Sequence, residues 1–191
     1  MVDAAGDDAL EGALIDRLRR GDRGAFRMLY ARYAQATFRF LRRLCGQRDV
    51  AEDLHQETWL RVARHHRNLW PDSDVRAWIF AIARNTFASS RRRATAGAPA
   101  RDDAADRTTT ADVDPTCVDL ERALMRLPEA QREILLLIGV EGLEIARVAI
   151  ILELREDAVR QRLSRARAAL AAALDAASTG PAEKQTSRGV R

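Results

Sequence analysis

Five polar side chains on one short stretch have the chemistry of base and phosphate readers: Arg160, Gln161, Ser164, Arg165 and Arg167. A guanidinium donates paired hydrogen bonds to a guanine edge or a phosphate, an amide pairs with adenine, and a hydroxyl suits either. With Arg155, the segment 155–167 carries five arginines against two acids, a local charge of +3. Charge alone fits an arginine-rich solvated helix better than a reading helix. The context reverses that weighting. An apolar segment, Glu144–Leu152, and a second segment from Glu156 to about Ala172 flank a three-residue turn, Glu153-Leu154-Arg155. Helix, tight turn and arginine-bearing helix form the helix-turn-helix pattern, whose second helix enters the major groove. Val148, Ile151, Leu152, Leu154, Val159 and Leu163 supply its small core.

A second group lies between 67 and 92. Phe80, Arg84, Phe87 and Arg91 share one helical stripe, and Arg92 and Arg93 extend the charge. Aromatics interleaved with arginines suit unstacked bases and their phosphates. An ordinary core role for Phe80 and Phe87 explains the spacing equally well. A third group, Asp53, Gln56 and Glu57, clusters at i, i+3 and i+4. It lies opposite an apolar face made by Ala51, Leu54, Thr58, Val62 and Leu69. Such a face can dock on a basic protein surface, although by itself it reads as solvated. The three histidines form no metal-ligand spacing, since His65 and His66 are adjacent and His55 lies ten positions earlier. No nucleophile–base constellation is visible, so no enzyme activity, metal or cofactor is expected.

Helices must position all of these groups. The chain has 191 residues, 5% aromatic and 31% charged, so its core is built from aliphatic side chains. The formal charge of +4 permits a nucleic-acid partner without requiring one. The positive charge is nearly all arginine, with Lys184 the only lysine. Two cysteines, Cys45 and Cys117, sit outside any CxxC pattern. There is no membrane-length apolar run, and the acidic start MVDAAGDDALEG lacks a signal-peptide layout. The expectation is a cytoplasmic, all-α protein of two small helical domains on a flexible linker. The first domain covers 9–94. In it, Asp22 caps a helix that ends near Gly46, a third helix runs from about Arg48 to Asn68, and Ser73 or Asp72 caps a fourth. Residues 95–116 make the linker, acidic and poor in large apolar side chains. The second domain covers 117–177, with Pro128 in the first turn of one helix. Residues 178–191 form a polar tail.

Four stretches resemble the extracytoplasmic-function (ECF) sigma factors of the sigma-70 family. Asp49–Leu60 (DVAEDLHQETWL) resembles their polymerase-docking helix, and Val75–Asn85 (VRAWIFAIARN) their promoter-melting helix. Leu127–Glu133 and Arg160–Arg167 resemble their C-terminal DNA-reading domain. The resemblance covers about residues 10–175. It implies that Asp53, Gln56 and Glu57 contact the clamp of the polymerase largest subunit, with a further contact to the flap. It implies that the loop 66–73, with Arg67, Asn68 and Trp70, captures a flipped −10 base. Arg84, Asn85, Arg91 and Arg92 would then hold the melted strand. Arg155, Arg160, Gln161, Ser164, Arg165 and Arg167 would read the −35 element. It also implies an anti-sigma factor as partner. The helix-turn-helix departs from the family pattern: Glu144, Arg147, Ile150 and Glu153 replace serine, two acids and glycine, and Arg155–Ala158 replaces Pro-x-Gly-Thr. Glu153 is therefore expected in a left-handed conformation that glycine adopts more readily. Ile150 and Ile151 are expected to leave an apolar patch. These departures motivate a second reading, a sigma-like decoy that binds an anti-sigma factor or polymerase without initiating.

Overall fold

A computed structural model describes the backbone of residues 4–97 and 115–178, and the side chains of 12–95 and 119–176. Among these residues there are eight α-helices and no strand: α1 (Ala4–Arg19), α2 (Arg23–Cys45), α3 (Arg48–His65), α4 (Val75–Gly97), α5 (Pro115–Arg126), α6 (Glu129–Leu135), α7 (Ile145–Leu152) and α8 (Glu156–Ser178). Helix α4 runs past the expected end at 94, and α5 starts before 117. The rest of the expected linker, 98–114, and the tail beyond 178 lie outside the described residues.

Local chemistry sets the helix ends. Asp22 caps α2 as expected, accepting from the Gly24 and Ala25 N–H groups at 2.7 and 3.3 Å. Arg17 also donates to it at 2.8 Å, and this bond above all holds the Asp22 carboxyl below its ordinary pKa. Gly46 ends α2 at φ 80°, its N–H returning to the Arg42 carbonyl. The cap of α4 differs from the expectation. Asp74 accepts from the Ala77 N–H at 2.8 Å, while the Ser73 hydroxyl accepts from the Trp70 N–H at 3.0 Å. Ser73 is therefore spent on bracing the loop before the helix. Helix α6 continues through a widened π turn, Leu136–Val140, in which the Glu141 N–H reaches the Leu136 carbonyl.

Helices α1–α4 enclose a first apolar cluster around Ile15, Leu18, Leu29, Trp59, Val62 and Ile79. The predicted inner face of α3 is buried throughout: Ala51, Leu54, Thr58, Val62 and, beyond the helix, Leu69. Trp59 anchors this cluster edge-on to Phe26 and Tyr30. Its indole N–H points at Thr37 Oγ1 (3.2 Å) and His55 Nε2 (2.9 Å), and His55 Nε2 also lies 2.9 Å from the Ala34 carbonyl. Burial pushes the His55 pKa below its ordinary value, against the pull of the Ala34 carbonyl. A depressed histidine pKa means that stability is fully present above about pH 6.5, the unfolded value, and is lost as pH falls through the folded value. The melting temperature should therefore drop on acidification from pH 7 to 5, and His55→Gln should flatten that slope. Equal slopes in the two proteins would remove His55 as the cause.

A second cluster crosses between the halves of the chain. It joins Phe40, Leu44, Phe80, Ala83 and Phe87 to Leu124, Ile134, Leu137, Val148 and Leu163. Helices α5–α8 are thus docked on α2 and α4.

Candidate nucleic-acid and protein interfaces

Helix α8 and the last turn residue before it, Arg155, carry the expected readers. Arg155, Arg160, Gln161, Ser164, Arg165 and Arg167 are all exposed, while Val159, Leu163 and Ala166 pack inward. Arg160 is engaged locally, donating to Glu156 at 2.7 Å and Asp157 at 3.4 Å. Arg165 bends back toward the Gln161 carbonyl at 3.4 Å.

The turn before α8 has the expected strain. Glu153 sits at φ 55°, ψ 45°, the only non-glycine residue with positive φ among those described. Its N–H bonds the Ile150 carbonyl and the Leu154 N–H bonds the Ala149 carbonyl, the paired pattern of a Schellman cap. Leu154 packs on the core behind it. A left-handed residue with a Cβ costs about 1–2 kcal/mol. Glycine gives back about 0.4–1 kcal/mol through unfolded-state entropy. Glu153→Gly should therefore stabilise the protein by roughly 0.5–1 kcal/mol, seen as a higher urea midpoint with unchanged slope. A lower midpoint would show that the Glu153 side chain contributes something glycine lacks. Of the apolar pair in α7, Ile150 is 69% exposed and Ile151 is buried, so the expected patch is Ile150 alone.

On the first half, Asp53 and Gln56 are exposed on the outer face of α3, and Glu57 beside them is half-buried. Arg61 donates to Glu57 at 2.8 Å, and this bond chiefly lowers the Glu57 pKa, keeping it anionic. In the loop before α4, Arg67 and Asn68 are exposed and Trp70 is 79% exposed, the largest aromatic surface in water. Leu69 and Val75, both buried, pin the loop from either side.

The stripe on α4 needs correction. Phe80 and Phe87 are buried, Phe80 completely, with its ring edge-on to Phe40 at 5.4 Å. They support α4 from beneath and offer no stacking surface. Asn85, Arg91 and Arg92 are exposed, but Arg84 is half-buried. Arg84 donates to Glu133 of α6 at 2.9 Å, and Arg91 lies 3.3 Å from Glu129. Burial raises the Glu133 pKa despite the Arg84 guanidinium beside it. Both glutamates lie in the Leu127–Glu133 stretch, but the sequence assigns them no partner. Their i, i+4 spacing marks a face of α6, but not what that face meets.

These features define a DNA-binding helical protein with a helix-turn-helix, and comparison places it in a family. Residues 29–96 match Sigma-70 region 2, and residues 117–170 match Sigma-70 region 4. The chain belongs to the ECF sigma factors of the sigma-70 family. It is 35% identical over 164 residues to the ECF RNA polymerase sigma factor SigM of Mycobacterium tuberculosis, covering 84% of this chain and 82% of SigM. It is 33% identical over 135 residues to the ECF sigma factor EcfG of Rhodopseudomonas palustris, covering 69% and 75%. The fold matches the Bartonella quintana sigma factor RpoE, solved with the anti-sigma factor NepR. The TM-score is 0.66 at 28% identity, over 78% of this chain and 96% of that one. It is also similar to CnrH, solved with the cytosolic domain of CnrY, at a TM-score of 0.66 and 24% identity over 86% and 97%. No described helix is long and apolar enough to cross a membrane.

Proposed function

We propose that this sigma factor divides promoter recognition among three surfaces and carries no chemistry of its own. The α3 face of Asp53, Gln56 and Glu57 docks on the clamp of core RNA polymerase, and the second half contacts the flap. The loop with Arg67, Asn68 and Trp70, together with Arg84, Asn85, Arg91 and Arg92 on α4, holds the melted −10 strand. Helix α8 reads the −35 element, with phosphate contacts setting register and base contacts setting sequence. The protein acts in the cytoplasm and has an anti-sigma factor as partner. The single observation that carries this reading is α8: a strained turn delivers a helix whose core side is apolar and whose open side is arginine, glutamine and serine.

Transcription from defined promoters with cognate core polymerase tests the reading. Promoter-specific transcripts are expected, and their absence with every promoter offered would sink it. Within that assay, Arg165→Ala should cost about 1–3 kcal/mol at one −35 base and relax specificity there. An equal loss on every −35 variant would instead mark a phosphate contact. The Arg160 ion pairs and the exposed Ile150 favour a second reading, a decoy that binds an anti-sigma factor or polymerase without opening DNA. Polymerase binding without −10 opening in a permanganate footprint would select the decoy.

A further inference from the structure

One corner of the first half concentrates positive charge without acids to match it. Where α1 turns into α2, the chain meets the turn after α3 around a cleft of about 660 Å³. Arg23, Arg27 and Arg67 line the cleft and are exposed, with the half-buried rings of Phe26 and His66 between them. Among the described residues these three guanidinium groups have no hydrogen bond or ion pair, whereas nearby Arg17 and Arg61 are paired with Asp22 and Glu57. The acid on the wall, Asp22, is already spent on Arg17 and on the Gly24 and Ala25 N–H groups. Three cations on one cleft repel one another, and a bound anion removes that cost.

The turn is shaped around Arg67. Gly21 sits at φ 76°, and a Cβ there would lie 2.6 Å from Arg67 Nη2 and 2.9 Å from its Cζ. The guanidinium thus fills the space that a side chain at position 21 would take. The rings add a second kind of contact. Phe26 lies 5.4 Å from His66, with the ring planes at 52°. His66 Nδ1 donates to the Ala63 carbonyl at 2.9 Å, which leaves Nε2 of the neutral ring as an acceptor. A nucleobase offers a π-face to such rings and N–H groups to such an acceptor. The charge selects the form of the ligand. A phosphodiester carries one negative charge, whereas a terminal di- or triphosphate concentrates several where three guanidinium groups can each take paired oxygens. The cleft also has the size of a small-molecule site.

We infer that the α1–α2 corner is a binding site for a free nucleoside di- or triphosphate, with Arg23, Arg27 and Arg67 on the phosphates and Phe26 and His66 against the base. This goes beyond promoter recognition and does not depend on it. Arg67 also belongs to the proposed base-capturing loop, but Arg23 and Arg27 do not.

Isothermal titration of the full-length chain at constant ionic strength tests the site, with ADP, GDP, CDP, UDP and inorganic pyrophosphate as probes. At least one nucleotide should bind, and more tightly than pyrophosphate. Arg23→Ala/Arg27→Ala should weaken that nucleotide about tenfold for each guanidinium removed, about a hundredfold for both. Both residues are exposed, so the fold should hold, and thermal melting checks it. Arg19→Ala/Arg20→Ala removes the same charge from exposed residues outside the cleft and should change little. Phe26→Leu should weaken the nucleotide and leave pyrophosphate unchanged. The site is overturned if none of the four nucleotides binds, if pyrophosphate binds as tightly as they do, or if the Arg19/Arg20 variant loses as much as the Arg23/Arg27 variant. A single-stranded DNA oligonucleotide forms the last arm. If the Arg23/Arg27 variant weakens it while no free nucleotide binds, the corner is a strand surface and the assignment fails.

Discussion

Phe80→Ala should lower the stability of the fold by about 3–5 kcal/mol, the range for removing a fully buried phenylalanine. A domain is stable by only about 5–15 kcal/mol, so much of the protein would be unfolded at physiological temperature. The cause is geometric. Phe80 has no exposed surface, meets Phe40 edge-on, and lies in the cluster that joins α2 and α4 to α6 and α7. A stacking role predicts the reverse pattern: unchanged stability and a loss of about 1–3 kcal/mol in strand binding. Urea denaturation together with strand affinity, measured where the variant remains folded, separates the two. Phe80→Leu, which fills most of the volume, should be much milder than alanine. A fully stable alanine variant with weakened strand binding would show that Phe80 leaves the core to meet bases.

The same helix shows where the sequence stops being informative. Its apolar character all round was visible, but periodicity reports which faces are buried and not what buries them. Ile79 turns to the α1–α3 cluster, while Phe80, Ala83 and Phe87 turn to the cluster that includes the docked second half. An arginine at the edge of such a face can meet either DNA or protein. Arg84 meets Glu133, 49 positions away, and a pairing that distant leaves no local trace. Local signals fared better. Asp22 was legible as a cap, and the strain at Glu153 was implied by the resemblance, in which glycine usually stands at that position. The Asp74 cap was missed for a local reason. Asp72, Ser73 and Asp74 are all good caps, and the Trp70 N–H had already engaged Ser73. The π turn of α6 had no counterpart in the apolar run 134–138, which reads as uninterrupted helix.

Asp53→Arg should weaken binding to core polymerase by about 2–4 kcal/mol, roughly 30- to 1,000-fold, and transcription should fall with it. The magnitude follows from placing a cation against a surface proposed to be basic, where like charges cost several kcal/mol and slow association. The fold should hardly notice. Asp53 is exposed on α3, opposite Ala51, Leu54, Thr58 and Val62, and surface changes of this kind stay within about 0.5 kcal/mol. Glu57→Arg should act in the same direction with an added local effect, because it also faces Arg61, which now donates to Glu57. Gln56→Ala removes a neutral contact and should be the mildest of the three. The discriminating measurement pairs core binding with −35 duplex binding by the same protein. In the proposed division of surfaces the −35 readers lie on α8, so duplex affinity should be unchanged while polymerase affinity collapses. If Asp53→Arg binds core polymerase as tightly as the wild type, α3 is not the docking face, and its acidic cluster is an ordinary solvated surface.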